Sequence, residues 1–165
     1  MGWNIIIHYN SSKNDAQVLA DEINGNNPDS AITVQGNLDV KEDVEKVINE
    51  VRDAFPTIDL LINNASTFYP TPIEDISEEH WDKLVGSNLK GPLFLIKGLK
   101  DKLKESKGSI INITDTNLSK GVANYSIYSA AKAGLESITK GLARELAPDI
   151  TVSYTHLRAH ETYPH

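Results

Sequence analysis

Asp115, Tyr128 and Lys132 are residues whose types and spacing can move a proton. Tyr128 and Lys132 stand four apart, a little over one helical turn, at the head of the Ala-rich run AAKAGLESITKGLAREL, so one helix face carries both. An ammonium beside a phenol stabilises the phenolate. That draws a tyrosine pKa from about 10 toward the working pH and makes Tyr128 a general acid or base. Asp115 lies thirteen residues before Tyr128 and closes the apolar run SIINIT, where a buried parallel strand delivers a carboxylate to the rim of a sheet. A Tyr-x-x-x-Lys pair alone is common on exposed helices; the strand-end aspartate gives this one its weight.

The elements that must position these groups alternate along the chain. Apolar β-rich runs at 3–9 (WNIIIHY), 31–35 (AITVQ), 58–62 (IDLLI), 109–114 and from 150 read as strands. Between the first two, Ser11 or Ser12 caps a helix expected to carry Val18, Leu19 and Ile23 inward and to stop at Asn24-Gly25. Asp39 is expected to cap the next, in which Val44, Val47, Ile48 and Val51 form one stripe. A helical stretch of about 27 residues from Ser77 is expected to break near Gly91-Pro92, and the Tyr128 helix to run to Pro148. This rhythm predicts an α/β fold of Rossmann-like, doubly wound type: a parallel sheet, helices on both faces, right-handed crossovers. Ligands in such folds bind beyond the carboxyl ends of the strands. Here those ends are residues 9–12, 36–38, 64–66 and Asp115.

Composition narrows the function classes. The chain has 165 residues, room for one domain with a sizeable core, and 39% hydrophobic content suits a soluble globular chain. A net charge of −7 argues against nucleic acid or an anionic membrane as partner. No apolar run approaches the roughly 20 residues of a membrane span, and MGWNIIIHYNSS lacks the features of a signal peptide. With no cysteine, disulfide and thiolate chemistry are excluded, and a cytoplasmic setting is expected.

Asn64-Ala65 after a strand, Asn88 within SNLKGP, and Tyr128-x-x-x-Lys132 together resemble the short-chain dehydrogenase/reductase family over residues 2–151. Most of that family has Ser where Asp115 stands. The aspartate and the decapeptide NNASTFYPTP, residues 63–72, are similar to the pteridine reductase branch. This resemblance implies reduction of a pteridine C=N bond in a dihydropteridine or dihydrofolate-like ring by NADPH. Asp115, Tyr128, Lys132 and Asn88 are the implied catalytic residues. Tyr128 gives the ring nitrogen its proton, Lys132 also binds the nicotinamide ribose, and Asn88 holds a relay water. Ser66, Phe68, Asp115 and Tyr128 are implied to meet the substrate. Phe68 reads either as the platform for the pterin ring or as an anchor packing its loop on the core. His8, Tyr9, Asn10, Ser11 and Ser12 take the positions that hold the adenosine 2′-phosphate. Asn37 and Leu38 would contact the adenine, and Asn64, Ala65 and Ser66 would line the cofactor cleft. No acidic residue ends the first strand, which favours NADP over NAD. The resemblance further implies a homo-tetramer when full-length, built partly through the helices after Ser77 and around Tyr128.

Two departures from the family pattern carry expectations of their own. The sequence holds no T-G-x-x-x-G-x-G turn, the loop whose amides cradle a pyrophosphate, and begins at what resembles the second strand. An incomplete fold is therefore expected, lacking the first strand-turn-helix and the C-terminal strands, with exposed sheet edges and impaired activity. Residues 1–151 are read as this partial domain and 152–165 as a tail. Its VSYTHLRAHET segment resembles the in-frame translation of a transposon-type sequencing adapter. His156 and His160 with Glu161 have metal-ligand spacing, but within that tail no metal is expected. Two other readings stand beside the pteridine one: a carbonyl-reducing relative such as a 3-oxoacyl reductase, and a non-catalytic chain that keeps the fold as a remnant or binding module.

Overall fold

The computed structural model describes residues 2–116 and 121–157. Strands β1 (Ile5–Tyr9), β2 (Ala31–Gln35), β3 (Leu60–Asn63), β4 (Ser109–Asp115) and β5 (Thr151–Leu157) alternate with helices α1 (Lys13–Asn26), α2 (Lys41–Ala54), α3 (Glu78–Val85), α4 (Gly91–Ser106) and α5 (Ser126–Glu145). All pairings are parallel. The architecture is the α/β, Rossmann-like one that the alternation predicts.

The strands form two sheets rather than one. β1 pairs with β2, and β4 lies between β3 and β5. One core nevertheless joins them: Ile6 and Val34 from the first sheet meet Val44, Val47 and Val51 of α2, Leu95, Leu99 and Leu103 of α4, and Ile110 and Val152 of the second. The layer formed by α2 and α4 is tied by a bond from the Arg52 guanidinium to the Gly98 carbonyl at 2.9 Å, and Gly98 lets Ile48 approach the α4 backbone. β1 and β3 are left as sheet edges, and Ile5, Leu60 and Ile62 stay exposed there, as the expectation of open edges required.

Local chemistry explains where the elements depart from their predicted form. β2 has the predicted bounds. β1 starts only at Ile5, and Trp3 is exposed instead of lying in a buried strand. α1 buries Ala16 and Ala20, whereas Val18 and Leu19 face solvent: the narrow two-stranded sheet takes a row of small side chains, not the bulky ones. Ser12 precedes α1 without a side-chain cap bond. Val40, not Asp39, is the residue before α2, and it is Asp43 that reaches back to accept from the Asn37 amide at 2.7 Å. Ser77 caps α3 by accepting from the His80 amide. The break expected at Gly91-Pro92 is a π-helical turn at Gly86–Lys90; Pro92 sits in the first turn of α4, where its missing N–H costs nothing. α5 ends at Glu145, short of Pro148.

Candidate functional site

The site grows from the carboxyl end of β4. Asp115 closes that strand, and α5 runs beside it, burying a stripe of Ile127, Tyr128, Ala131, Lys132, Leu135 and Thr139. Tyr128 and Lys132 therefore share the inward face, as their spacing predicts. The Tyr128 hydroxyl donates to Asp115 Oδ2 at 3.0 Å. Lys132 is 3% exposed and its Nζ donates to the Ile113 carbonyl at 2.9 Å. Burial pushes its pKa down from 10.5 to about 8, and the Asp115 carboxylate offsets part of that shift.

The strands are locked in register beneath these groups. Asn63 in β3 stands opposite Asn112 in β4 and donates to its Oδ1 at 2.8 Å; Asn112 in turn donates to Thr139 Oγ1 of α5 at 2.8 Å. All three are buried, so this amide–amide–hydroxyl chain ties β3, β4 and α5 where no water competes. Asn112 and Thr139 escaped the sequence reading because a polar residue in an apolar run carries no hint of its partner.

The loop after β3 closes over the site. Ser66 donates to Asn88 Oδ1 at 2.7 Å, while Asn88 Nδ2 donates to the carbonyls of Thr67 and Leu84. Asn88 is fully buried; its bond to Thr67 holds this loop, and its bond to Leu84 ties it to the end of α3. It lies in the π-turn, where Gly86 opens the turn and Gly91 follows it, and both permit a close approach: a Cβ on Gly86 would fall 2.8 Å from Asp39 Cα, and one on Gly91 would fall 2.8 Å from the Leu38 carbonyl oxygen. The segments after β2 and after β3 thus meet around Asn88, which brings the carboxyl ends of both sheets together.

Phe68 is half exposed and stacks on Tyr125 with centroids 4.5 Å apart, and it meets the Tyr128 ring edge-on at 4.8 Å. The ring thus packs on two tyrosines while remaining half open to solvent. Tyr125, missed by the sequence reading, stands three residues before Tyr128, a spacing that could have flagged it.

The remaining predicted residues lie along strand ends. His8 bonds through Nε2 to the Gly36 carbonyl, Asn10 accepts at its carbonyl from Gln35, and Tyr9 is half buried. Asn10, Ser11 and Ser12 are exposed, Asn37 is half buried and Leu38 buried. Asn64 and Ser66 are exposed and Ala65 is half buried. His160 and Glu161 fall outside the described residues; His156 Nδ1 is bonded to Thr114 Oγ1 at 2.8 Å. The donor set suits the two ends of a dinucleotide: hydroxyls and amides without a carboxylate at residues 8–12, and a buried cation at Lys132.

The profile of the short chain dehydrogenase family matches residues 1–162. The chain belongs to this family. Among similar family members, the 3-oxoacyl-[acyl-carrier-protein] reductase FabG of Staphylococcus aureus is 33% identical over 88% of this chain and 59% of its own length. The 3-oxoacyl-[acyl-carrier-protein] reductase of Synechocystis is 35% identical over the same shares. Pteridine reductase 1 of Leishmania tarentolae is 32% identical over 88% of this chain and 64% of its own length. The chain thus spans less than two thirds of these relatives. Identity does not separate the oxoacyl reductases from the pteridine reductase, so the branch implied by the decapeptide is not decided by it.

Proposed function

We propose that this site belongs to an oxidoreductase that reduces C=N bonds of dihydropteridine or dihydrofolate-like rings with NADPH. The observation that carries this reading is the 3.0 Å bond from Tyr128 to Asp115. When bound, NADPH supplies the hydride that goes to the ring carbon. Tyr128 gives its hydroxyl proton to the adjacent ring nitrogen, so the C=N bond gains one hydride and one proton. The ammonium of Lys132 stabilises the phenolate left behind. Asp115 accepts from the Tyr128 hydroxyl and so orients it, and a carboxylate is the charged acceptor that suits the N–H of an aminopyrimidine, which a serine hydroxyl supplies less well. Phe68 offers a flat apolar face to the ring. Asn88 holds the loop and is assigned the relay water. His8 to Ser12 receive the adenosine 2′-phosphate, Asn37 and Leu38 the adenine, and Asn64, Ala65 and Ser66 border the nicotinamide side.

The second reading is a 3-oxoacyl-type carbonyl reductase, favoured by the two oxoacyl reductases at 33% and 35% identity. Assembly as a homo-tetramer through the helices after Ser77 and around Tyr128 is part of the proposal; exposed Trp81 on α3 and Phe94 on α4 support a covered face there. The cysteine-free composition accords with a cytoplasmic setting. No helix among the described residues is long and apolar enough to cross a membrane.

Tyr128→Phe and Asp115→Ser test the chemistry. Tyr128→Phe is expected to lower pterin turnover by about 10²–10⁴-fold, the usual worth of a positioned proton donor, with NADPH binding retained. Asp115→Ser is expected to lower pterin turnover while sparing a β-keto thioester. Undiminished pterin turnover in either variant removes that residue from the assignment.

A further inference from the structure

The loop after β3 and the start of α5 are joined at two points. The Thr71 amide donates to the Asn124 carbonyl at 2.6 Å, and Phe68 stacks on Tyr125 at 4.5 Å with only 14° between the ring planes. Phe68 sits in irregular chain between β3 and the short helical turn at Ile73–Asp75, where no ladder fixes its backbone. Tyr125 is held far better. Its amide donates to the Val122 carbonyl, its own carbonyl accepts from the Ser129 amide in the first turn of α5, and its ring is only half exposed. The tyrosine is thus the rigid member of the pair and the phenylalanine the adaptable one. Because Tyr125 and Tyr128 leave the same end of α5 three residues apart, the helix that carries the proton donor also fixes the plane of Phe68.

We infer that Tyr125 is a positioning residue for substrate choice: by stacking on Phe68 it holds that ring at the orientation, edge-on to Tyr128, that admits a planar heteroaromatic substrate beside the proton donor. The inference rests on the pteridine reading above. Offset or parallel ring pairs contribute about 0.5–1.5 kcal/mol beyond their buried area. That is enough to hold Phe68 in one rotamer instead of several, but not enough to determine whether the chain folds. The effect belongs to flat substrates. A flexible acyclic chain gains little from the tilt of one phenyl ring.

The test uses the full chain saturated with NADPH and two probes, a dihydropterin and an acyclic β-keto thioester, whose binding is followed by titration calorimetry. Loss of the stack in Tyr125→Ala is expected to weaken dihydropterin binding about three- to tenfold, the factor that the stacking energy sets, and to leave thioester binding within about twofold. Tyr125→Phe keeps the stack and is expected to restore dihydropterin binding. Equal weakening of both probes in Tyr125→Ala, no weakening of either, or failure of Tyr125→Phe to restore binding overturns the inference while the pteridine reading stands. If the unsubstituted chain binds the thioester and not the pterin, or binds neither, the pteridine reading itself falls and this inference with it.

Discussion

Lys132 sets the pH response of the proposed chemistry. Its ammonium is buried and hydrogen-bonded to the Ile113 carbonyl, and burial lowers its pKa to about 8. As pH rises through about 8 the ammonium is lost and the phenolate formed at Tyr128 loses its counter-charge, so reductase turnover is expected to fall. Stability moves the other way. Between about 8 and 10.5 the unfolded chain holds this proton and the folded chain does not, so folding from this group strengthens as pH rises across that window; below it, both states are charged and the burial cost is present in full. Lys132→Met is expected to flatten that rise relative to the unsubstituted chain in denaturant titrations at a series of pH values. An unchanged slope would show that Lys132 is not the group responsible. At this scale the sequence was most legible. The intervals between Asp115, Tyr128 and Lys132 fixed a shared face and a strand end, and both are present. The spacing of Tyr125 from Tyr128 was a local signal, but its stack on Phe68 joins positions 57 apart, which no local pattern reports.

Among the elements, the π-turn is the least legible and does much to shape the site. Gly-Pro suggested a break, yet Pro92 fits a helix start and the irregularity falls five residues earlier, where Gly86 must pass the Asp39 backbone. Gly86→Ala places a Cβ 2.4 Å from Asp39 Cβ and 2.8 Å from its Cα, so either the turn or the segment after β2 must move. Overpacking of this kind costs about 1–3 kcal/mol. A lowered melting temperature is expected, together with weaker NADPH binding because Leu38 and Asn88 shift apart. Unchanged values for both would mean that the contact is soft. Helix α2 was readable because its valines repeat at helical spacing. α1 was misread because Ala16 and Ala20 carry its burial, and alanine gives little contrast against Val18 and Leu19.

For the whole molecule, parallel pairing throughout was implied by the alternation of elements, whereas the division of the strands into two sheets over one core departs from the single sheet that the alternation predicted. The edges of β1 and β3 expose Ile5, Leu60 and Ile62, yet the strand ends that carry the site are drawn together by Asn88 and the glycines beside it. The relatives leave two substrate classes in contention for the proposed reductase chemistry. The most direct measurement follows NADPH consumption by the chain with a dihydropterin and with a β-keto thioester in parallel. The Asp115–Tyr128 pairing predicts the greater kcat/KM for the dihydropterin. A greater value for the thioester, or none for the dihydropterin, would contradict the account.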